Sequence, residues 1–233
     1  MRSKSRPAPR AAMSSKPVLK IDWASYEAAK TACKKFHYSK SIPAGKMVKV
    51  GAWEDDKFIG VVLFSYGANG NIGKPYKLEQ TEVCELVRIA LTNHITPVSR
   101  IMAMAIKMLK QHSPGLKLIV SYADTGQGHH GGIYQATNWI YEGYFGGECS
   151  VVVNGRLMHR RQAYSLYGTT RPKGSYNVPA SGKHKYLMPL DEEMRKQIMP
   201  LSKPYPKRAK NQDVECPSTL GGEVPTCTLQ KPL

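Results

Sequence analysis

A histidine and a tyrosine, His37 and Tyr38, stand side by side where the first helical stretch ends. Side chains at a helix end can project into a site, and a histidine titrates in the pH range in which enzymes work. The pair therefore suits a general base or a group that positions a substrate, with helix-end capping as the alternative. A metal site at Cys33 and His37, which share one helix face, is less favoured because only His129 and His130 offer further ligands.

An aspartate directly follows the apolar run from Leu116 to Ala123, which reads as a buried strand. In open α/β sheets, ligands bind outside the carboxyl ends of the strands. Asp124 is therefore the leading candidate for the acid or base of a reaction. The alternative is an Asx turn, or an N-cap that opens the following loop.

Three further residues suit an anionic group. Arg88 lies inside the apolar strand Cys84 to Leu91, where an arginine must be paired or face a polar cavity. It either forms an ion pair with Glu85 or Asp124, or binds a carboxyl or phosphate group of a donor. Ser99 and Arg100, at a predicted helix start, offer amide groups, a hydroxyl and a cation to a donor phosphate, although a serine N-cap explains Ser99 equally well.

The elements that would position these residues follow from hydrophobic spacing and turn signals. They alternate between strands and helices, and strands on both sides of two crossover helices predict an α/β fold. We expect a mixed central sheet flanked by helices, with parallel pairing in its middle. The predicted order is a helix at 25–36, a hairpin of 47–53 and 58–66, a strand at 84–91, a helix at 98–111, a strand at 116–123, a helix at 133–142 and a hairpin of 144–153 and 156–167.

Composition along the chain predicts four segments. Residues 1–17 carry basic residues without an acid and read as a disordered arm, and residues 207–233 read as a flexible tail. The catalytic domain is expected at 18–170, followed at 171–206 by a basic extension that contacts DNA.

Basic residues dominate the chain, with 34 Lys and Arg against 17 Asp and Glu and a net charge of +17. A polyanion is therefore the favoured partner, although a basic protein with a small-molecule substrate is the alternative. The density of basic and aromatic residues after position 155 predicts a path for nucleic acid. The predicted contacts to double-stranded DNA are Arg156, Arg160, Arg161, Lys183 and Lys185.

The cysteine pattern and the lengths of the apolar runs predict the cellular compartment. Five scattered cysteines form no C-x-x-C pair, which fits reduced thiols. The chain has neither an apolar run of membrane-spanning length nor a signal peptide, so the sequence predicts a cytoplasmic protein without a membrane partner.

Two resemblances add to this interpretation. The element order and the passage GGIYQATNWIYEGYF resemble the GNAT acyltransferase fold. Tyr134 matches the tyrosine that GNAT enzymes often place near the acyl carbonyl, and core packing is its alternative role. The stretches FHYSKSIPAGKMVKVGAWEDDKFIGVVLFSYGAN, ELVRIAL and SYADTGQGHHGGIYQATNWIYEG resemble the Mom family of DNA-modification proteins of Mu-like bacteriophages.

The Mom resemblance implies an enzyme that converts adenine in DNA to N6-carbamoylmethyladenine in the host cytoplasm and so shields phage DNA from restriction. Where GNAT enzymes have a Gly-rich pyrophosphate loop, this chain has Thr96-Pro97-Val98-Ser99-Arg100, which argues against ordinary binding of acetyl-CoA. An activated glycyl group is the expected donor, with glycyl-tRNA as the hypothesis. A metal-assisted radical route, with iron as the metal, is the competing idea.

Two other classes of function compete with this one. A non-catalytic basic DNA-binding protein would have no need of His37, Arg88 and Asp124. A conventional N-acetyltransferase of proteins or small amines would need the missing Gly-rich loop. The sequence does not predict an oligomeric state.

Overall fold

A computed structural model of the chain describes residues 16–67, 70–147 and 149–207. The predicted basic arm and flexible tail lie outside the described residues, apart from Lys16, Pro17 and Lys207.

The centre of the fold is a seven-stranded sheet in the order β1-β2-β3-β4-β5-β10-β6, beside a three-stranded sheet in the order β8-β7-β9. Within the larger sheet β4 and β5 run parallel, and the other neighbours run antiparallel. The predicted mixed sheet with parallel pairing in its middle is confirmed. The strands are β1 (Leu19–Trp23), β2 (Met47–Glu54), β3 (Lys57–Ser65), β4 (Val83–Leu91), β5 (Leu118–Asp124), β6 (Ile140–Phe145), β7 (Ser150–Val153), β8 (Arg156–Met158), β9 (Tyr176–Val178) and β10 (Lys183–Pro189).

Helices cover both faces of the larger sheet. They do so because the central strands present apolar side chains on both faces. On β5, Ile119 packs with α2, whereas Leu118 and Val120 pack with α5. Helix α1 buries Ala29, Ala32 and Cys33 against β3 and β4. The helices are α1 (Tyr26–Phe36), α2 (Val98–His112), α3 (Gly132–Gln135), α4 (Arg160–Tyr167) and α5 (Glu192–Ile198).

The parallel strands β4 and β5 pair only over their first halves. The pairing runs from Val83 opposite Leu118 to Leu86 opposite Ser121, although the strands continue to Leu91 and Asp124. Beyond the last pair, the two carboxyl ends separate and a cavity opens between them. The fold therefore places its cleft where the sequence predicts a ligand.

Several local predictions are confirmed. Helix α1 begins after Ser25, whose hydroxyl accepts the N–H of Ala28 at 3.1 Å. The β2–β3 hairpin, strand β4, helix α2 and strand β5 also lie where hydrophobic spacing predicts them.

The predicted helix at 133–142 is wrong. Helix α3 is a short helix, Asn138 adopts a left-handed φ of 59°, and strand β6 follows. The aromatic and β-branched run after Asn138 is typical of a strand, and pairing with β10 stabilises it there.

The second arm of the predicted hairpin at 156–167 is only partly a strand. The turn at Asn154 and Gly155 forms as predicted, with φ of 50° and 75°, but β8 stops at Met158. The ring of His159 then accepts the N–H of Arg161 at 3.1 Å and so caps α4, which Gly168 ends with a φ of 70°.

Strand β10 belongs to the larger sheet, where it lies between β5 and β6. This strand falls in the segment 171–206, which the sequence predicts to be a separate extension. Its apolar residues Tyr186 and Leu187 are fully buried in the core. The sheet therefore continues beyond residue 170. Among the described residues, no helix combines the length and apolar character needed to span a membrane.

Candidate functional site

The cavity at the separated ends of β4 and β5 has a volume of about 1020 Å³. It brings together residues that are far apart in the sequence. Of the predicted site residues it is lined by His37, Tyr38, Arg88, Asp124, Tyr134 and Lys183. Ser99 and Arg100 are not among the residues that line it.

His37 lies immediately after α1 and is partly buried in the cavity wall. Its Nδ1 lies 2.8 Å from the hydroxyl of Ser39 and accepts the backbone N–H of Ser39 at 3.1 Å. Burial, helped by the positive charges of Arg88, His129 and Lys40, lowers the pKa of His37 to about 4. The imidazole is therefore neutral at physiological pH.

Tyr38 and His129 form an aromatic surface at the mouth of the cavity. The Tyr38 ring is tilted against His37, with centroids 4.2 Å apart, and meets His129 edge-on at 5.3 Å. Tyr38 is 48% exposed, so much of this ring is open to a flat ligand. Partial burial, opposed by Arg88, raises the pKa of Tyr38, and its hydroxyl stays protonated.

Arg88 reaches the cavity from β4. One guanidinium nitrogen, Nη1, donates to the carbonyl oxygen of Val87 at 2.8 Å, whereas Nε is buried without a hydrogen-bond partner. Among the described residues, Arg88 forms no ion pair with Asp124. A buried N–H without an acceptor costs stability. The Nε of Arg88 is such a group, so Arg88 keeps a hydrogen-bond donor beside the cavity that none of the described residues accepts.

Asp124 ends β5 and holds the following loop through one of its two carboxylate oxygens. Its Oδ1 accepts the N–H of Gly126 at 2.9 Å and the hydroxyl of Ser181 at 2.8 Å. The predicted Asx turn and N-cap is therefore present, and the same side chain also lines the cavity. None of the described residues forms a hydrogen bond to Oδ2.

Tyr134, on α3, is buried and lines the cavity. Its hydroxyl lies 2.8 Å from that of Ser121, which in turn donates to the carbonyl oxygen of Leu86 at 2.8 Å. Burial raises the pKa of Tyr134 to about 12, although the Ser121 hydrogen bond acts in the opposite direction. Its ring also packs on Trp139 and Tyr186, so core packing and cavity lining coincide.

Five of the seven histidines line the cavity, and the sequence predicts a role only for His37. His94, His130 and His184 come from separate loops and strands, which spacing along the chain cannot bring together. His184 bonds the hydroxyl of Tyr141 at 2.8 Å through Nδ1. Burial, together with nearby His130, lowers the pKa of His184.

No group of three or more metal-ligating side chains, from Cys33 and His37 or elsewhere, occurs in the described part of the chain. Cys33 is fully buried and packs with Ala29, Val61 and Leu63 under α1. Burial raises the pKa of its thiol, with Arg88 opposing the shift. The thiol is therefore held in an apolar layer.

A buried carboxylate, that of Glu54, bonds to the loop immediately before α2. Pro97 precedes the helix, so Ser99 is not the N-cap. Glu54, at the end of β2, accepts the backbone N–H groups of Ile95 and Thr96, the first at 3.1 Å through Oε1. Burial alone would raise the pKa of Glu54, but its hydrogen bonds with Thr96 and Ile95 lower it.

The predicted DNA contacts divide into two groups. Arg156, Arg161 and Lys183 are exposed, and Arg160 is half-buried with its Nη2 donating to Asn177 at 3.3 Å. Lys185 is buried, bonded to Glu142 at 3.0 Å and covered by the rings of Tyr76 and Phe145. The prediction that Lys185 contacts DNA is therefore wrong, because the carboxylate of Glu142 and the rings of Tyr76 and Phe145 enclose this side chain.

The surface around α4 is basic and aromatic. From Cys149 to Leu190 the chain has seven Lys or Arg residues and no Asp or Glu. A cavity beside α4 is lined by Arg160, Arg161 and Tyr164. Exposed rings and aliphatic side chains flank these charges on Leu157, Tyr164, Leu166, Tyr167 and Tyr176.

The model of the Mom protein family matches residues 18–207. The methylcarbamoylase mom of Escherichia phage Mu is 27% identical over 129 residues, which are 54% of this chain and 54% of that protein. The chain thus matches about half the length of this relative.

Among solved structures, a putative acetyltransferase from Acinetobacter baylyi has a TM-score of 0.46 and 10% identity, covering 77% of this chain and 96% of its own. A Bacillus subtilis acetyltransferase in complex with CoA has a TM-score of 0.45 and 13% identity, covering 76% of this chain and 100% of its own.

Proposed function

The chain belongs to the Mom protein family, and on this premise we propose that it is a phage DNA-modification enzyme that converts adenine to N6-carbamoylmethyladenine. The modification would protect phage DNA from host restriction in the host cytoplasm. One observation carries the proposal: the cavity that holds His37, Arg88 and Asp124 also reaches exposed Lys183, in the acid-free stretch that includes α4. Double-stranded DNA is the proposed partner.

The reaction needs the target adenine outside the base stack, because its exocyclic nitrogen is not accessible to this chemistry within the duplex. The surface of Tyr38 and His129 suits a flipped base, since exposed aromatic rings stack on bases of any sequence. Arg156, Arg161 and Lys183 would bind phosphates, and these contacts make binding depend strongly on salt.

His37 and Asp124 are assigned complementary roles. The Ser39 amide occupies Nδ1 of His37, so the neutral ring carries its proton on Nε2 and donates a hydrogen bond. This suits a carbonyl oxygen that gains negative charge during acyl transfer, and the neighbouring guanidinium of Arg88 would stabilise the same charge. Oδ2 of Asp124 would accept the proton that the adenine nitrogen loses.

Glycyl-tRNA is the proposed donor, because a basic protein suits RNA and its glycyl ester is activated. Adenine N6 attacks the ester carbonyl carbon, the ester C–O bond breaks, and the leaving ribose oxygen receives the proton released by N6. The resulting N6-glycyladenine is an isomer of N6-carbamoylmethyladenine. Attack of the glycyl amine on C6, with cleavage of the original C6–N6 bond, converts one isomer into the other.

The donor hypothesis makes a distinctive labelling prediction. In an extract supplied with ¹⁵N-labelled glycine, the label should appear on the nitrogen attached to adenine C6, and the old N6 should become the carboxamide nitrogen. A glycine-free extract that modifies DNA as well as a complete one would exclude this donor.

The function is tested by nucleoside mass spectrometry on plasmid DNA from cells that express the protein. Asp124→Asn is the informative variant, because the amide oxygen can still accept the bonds of Gly126 and Ser181 while the negative charge is lost. Asp22→Asn, on the exposed edge strand β1, is the matched control. We expect modified deoxyadenosine with the wild type and the control, and none with Asp124→Asn. Unmodified DNA in all three would reject the proposal.

A further inference from the structure

An internal anion lies at the start of helix α2. Glu54 is 8% exposed, and its two carboxylate oxygens accept the backbone N–H groups of Ile95 and Thr96 immediately before the helix. These bonds join the end of β2 to the loop between β4 and α2. The pKa of Glu54 is lowered despite its burial, so the group is a carboxylate at every pH at which the protein would work.

Helix starts of this kind are where proteins ordinarily bind phosphate. The amides near a helix N-terminus point outward, and the helix dipole adds partial positive charge. In this chain the Ile95 and Thr96 amides already have an acceptor that carries a full negative charge. A phosphate brought to the same amides would have to displace a buried carboxylate or lie beside it.

The loop itself is built without the features that admit a diphosphate. The stretch from Thr92 to Pro97 has no glycine, so side chains obstruct the close backbone approach that phosphate-binding loops need. Pro97 has no N–H to donate. The cavity nevertheless reaches this loop, because His94 and Val98 line it.

We infer that Glu54 takes the place that a donor diphosphate would occupy, so the acyl donor is not a CoA thioester held at the start of α2. This inference deepens the proposed function. What it says about the acyl donor rests on that proposed function. The cationic groups that line the cavity, Arg88, Lys183 and Lys207, are left to hold any anionic part of the donor. The expected cofactor of an acetyltransferase fold therefore does not fit the residues that are present.

The inference is tested by anion binding to the full chain. Wild type, Glu54→Ala and Glu54→Gln are compared by thermal unfolding with sodium pyrophosphate, with CoA, and with KCl at equal ionic strength. Glu27→Ala, an exposed acid on α1, is the control for nonspecific binding to a chain of net charge +17. Calorimetric titration of the wild type with CoA measures stoichiometry directly.

We expect pyrophosphate to raise the Tm of Glu54→Ala more than that of the wild type or Glu27→Ala, because only this variant leaves two amides without an acceptor. Glu54→Gln, which keeps an acceptor oxygen but loses the charge, should lie between them. The wild type should show no 1:1 binding of CoA. Equal pyrophosphate effects in all four proteins, or saturable 1:1 binding of CoA to the wild type, would overturn the inference.

The wild-type titration decides the question even if Glu54→Ala does not fold. Nucleoside mass spectrometry on the same proteins separates this inference from the proposed function. Modified DNA together with 1:1 CoA binding would contradict the inference about Glu54 and leave the proposed function intact. Unmodified DNA together with the pyrophosphate effect in Glu54→Ala removes the function and leaves the assignment of Glu54 intact.

Discussion

The backbone N–H of Ser39 donates to Nδ1 of His37 over 3.1 Å, and this one bond sets the tautomer of the histidine. A backbone amide can only donate, so Nδ1 must hold a lone pair and the proton of the neutral ring must lie on Nε2. The ring then presents a donor to the cavity rather than a base. A sequence that places a histidine beside a tyrosine does not reveal this difference.

The first prediction concerns this tautomer. In ¹⁵N-edited NMR spectra at pH 7, the His37 ring should show a protonated Nε2 and an unprotonated Nδ1, and it should titrate with a pKa of about 4. Ser39→Pro removes the N–H that sets the tautomer, whereas Ser39→Ala keeps it and serves as the control. A protonated Nδ1 in the wild type would contradict the role of His37 as a hydrogen-bond donor through Nε2.

The second prediction concerns acid stability. The pKa of His37 is about 4 in the folded protein and about 6.5 for an unperturbed histidine, so the unfolded state binds the proton more readily. Stability contributed by neutral His37 is therefore complete above about pH 6.5 and is lost as pH falls towards 4. Urea unfolding at pH 7.5 and 5 should show a smaller loss in His37→Gln than in the wild type. An equal loss would mean that His37 does not carry this dependence.

The third prediction separates activity from stability at Arg88. Arg88→Met removes a buried Nε that has no acceptor, so the free energy of unfolding should stay the same or rise. DNA modification should fall about 100-fold, the usual effect of losing a donor that stabilises developing charge. Arg195→Met, on α5, is the control. A destabilised Arg88→Met would indicate that the guanidinium is mainly structural.

The fourth prediction uses two glycines of the cavity loop. A Cβ at Gly131, where φ is 79°, would lie 2.3 Å from the Tyr186 ring, whereas a Cβ at Gly128, where φ is 66°, would meet nothing within 4 Å. Both alanine variants strain the backbone, at about 1 kcal/mol each. Gly131→Ala should cost at least about 2 kcal/mol more in urea unfolding, because Tyr186 is fully buried and cannot move away. Similar losses of unfolding free energy in the two variants would show that the Tyr186 ring can move aside.

The fifth prediction distinguishes two lysines that lie two residues apart on β10. Lys183→Gln should lower the slope of log affinity for DNA against log salt by about 1 and leave stability unchanged, since Lys183 is exposed. Lys185→Met should cost about 3 kcal/mol of stability, because it leaves the carboxylate of Glu142 without its cation. Fluorescence anisotropy over a salt series and urea unfolding provide the two measurements. Reversed effects would show that Lys185 is the exposed lysine and Lys183 the structural one.

These cases show how far the sequence predicts the site. Asp124 and Arg88 are found from sequence because each breaks a local rule, a charge inside or directly after an apolar strand. Lys185 resembles any other residue of a basic stretch, and only the pairing of β10 with β6 reveals that it faces Glu142. His184 lines the cavity because of the strand order, and Glu54 bonds the loop before α2 across a separation of 41 residues, and spacing along the chain encodes neither arrangement. Asn138 ends α3 by adopting a φ that asparagine tolerates, which hydrophobic periodicity does not detect.

The position of β10 also has a consequence for synthesis of the chain. Strand β6 leaves the ribosome well before β10, yet among the described strands of the larger sheet it pairs with β10 alone. Until residue 189 has emerged, the nascent chain holds an unpaired edge on β5 and a strand without a neighbour. The cavity wall that carries Lys183 and His184 is therefore assembled after the walls that α1, β4 and β5 provide, so the cavity is complete only late in synthesis.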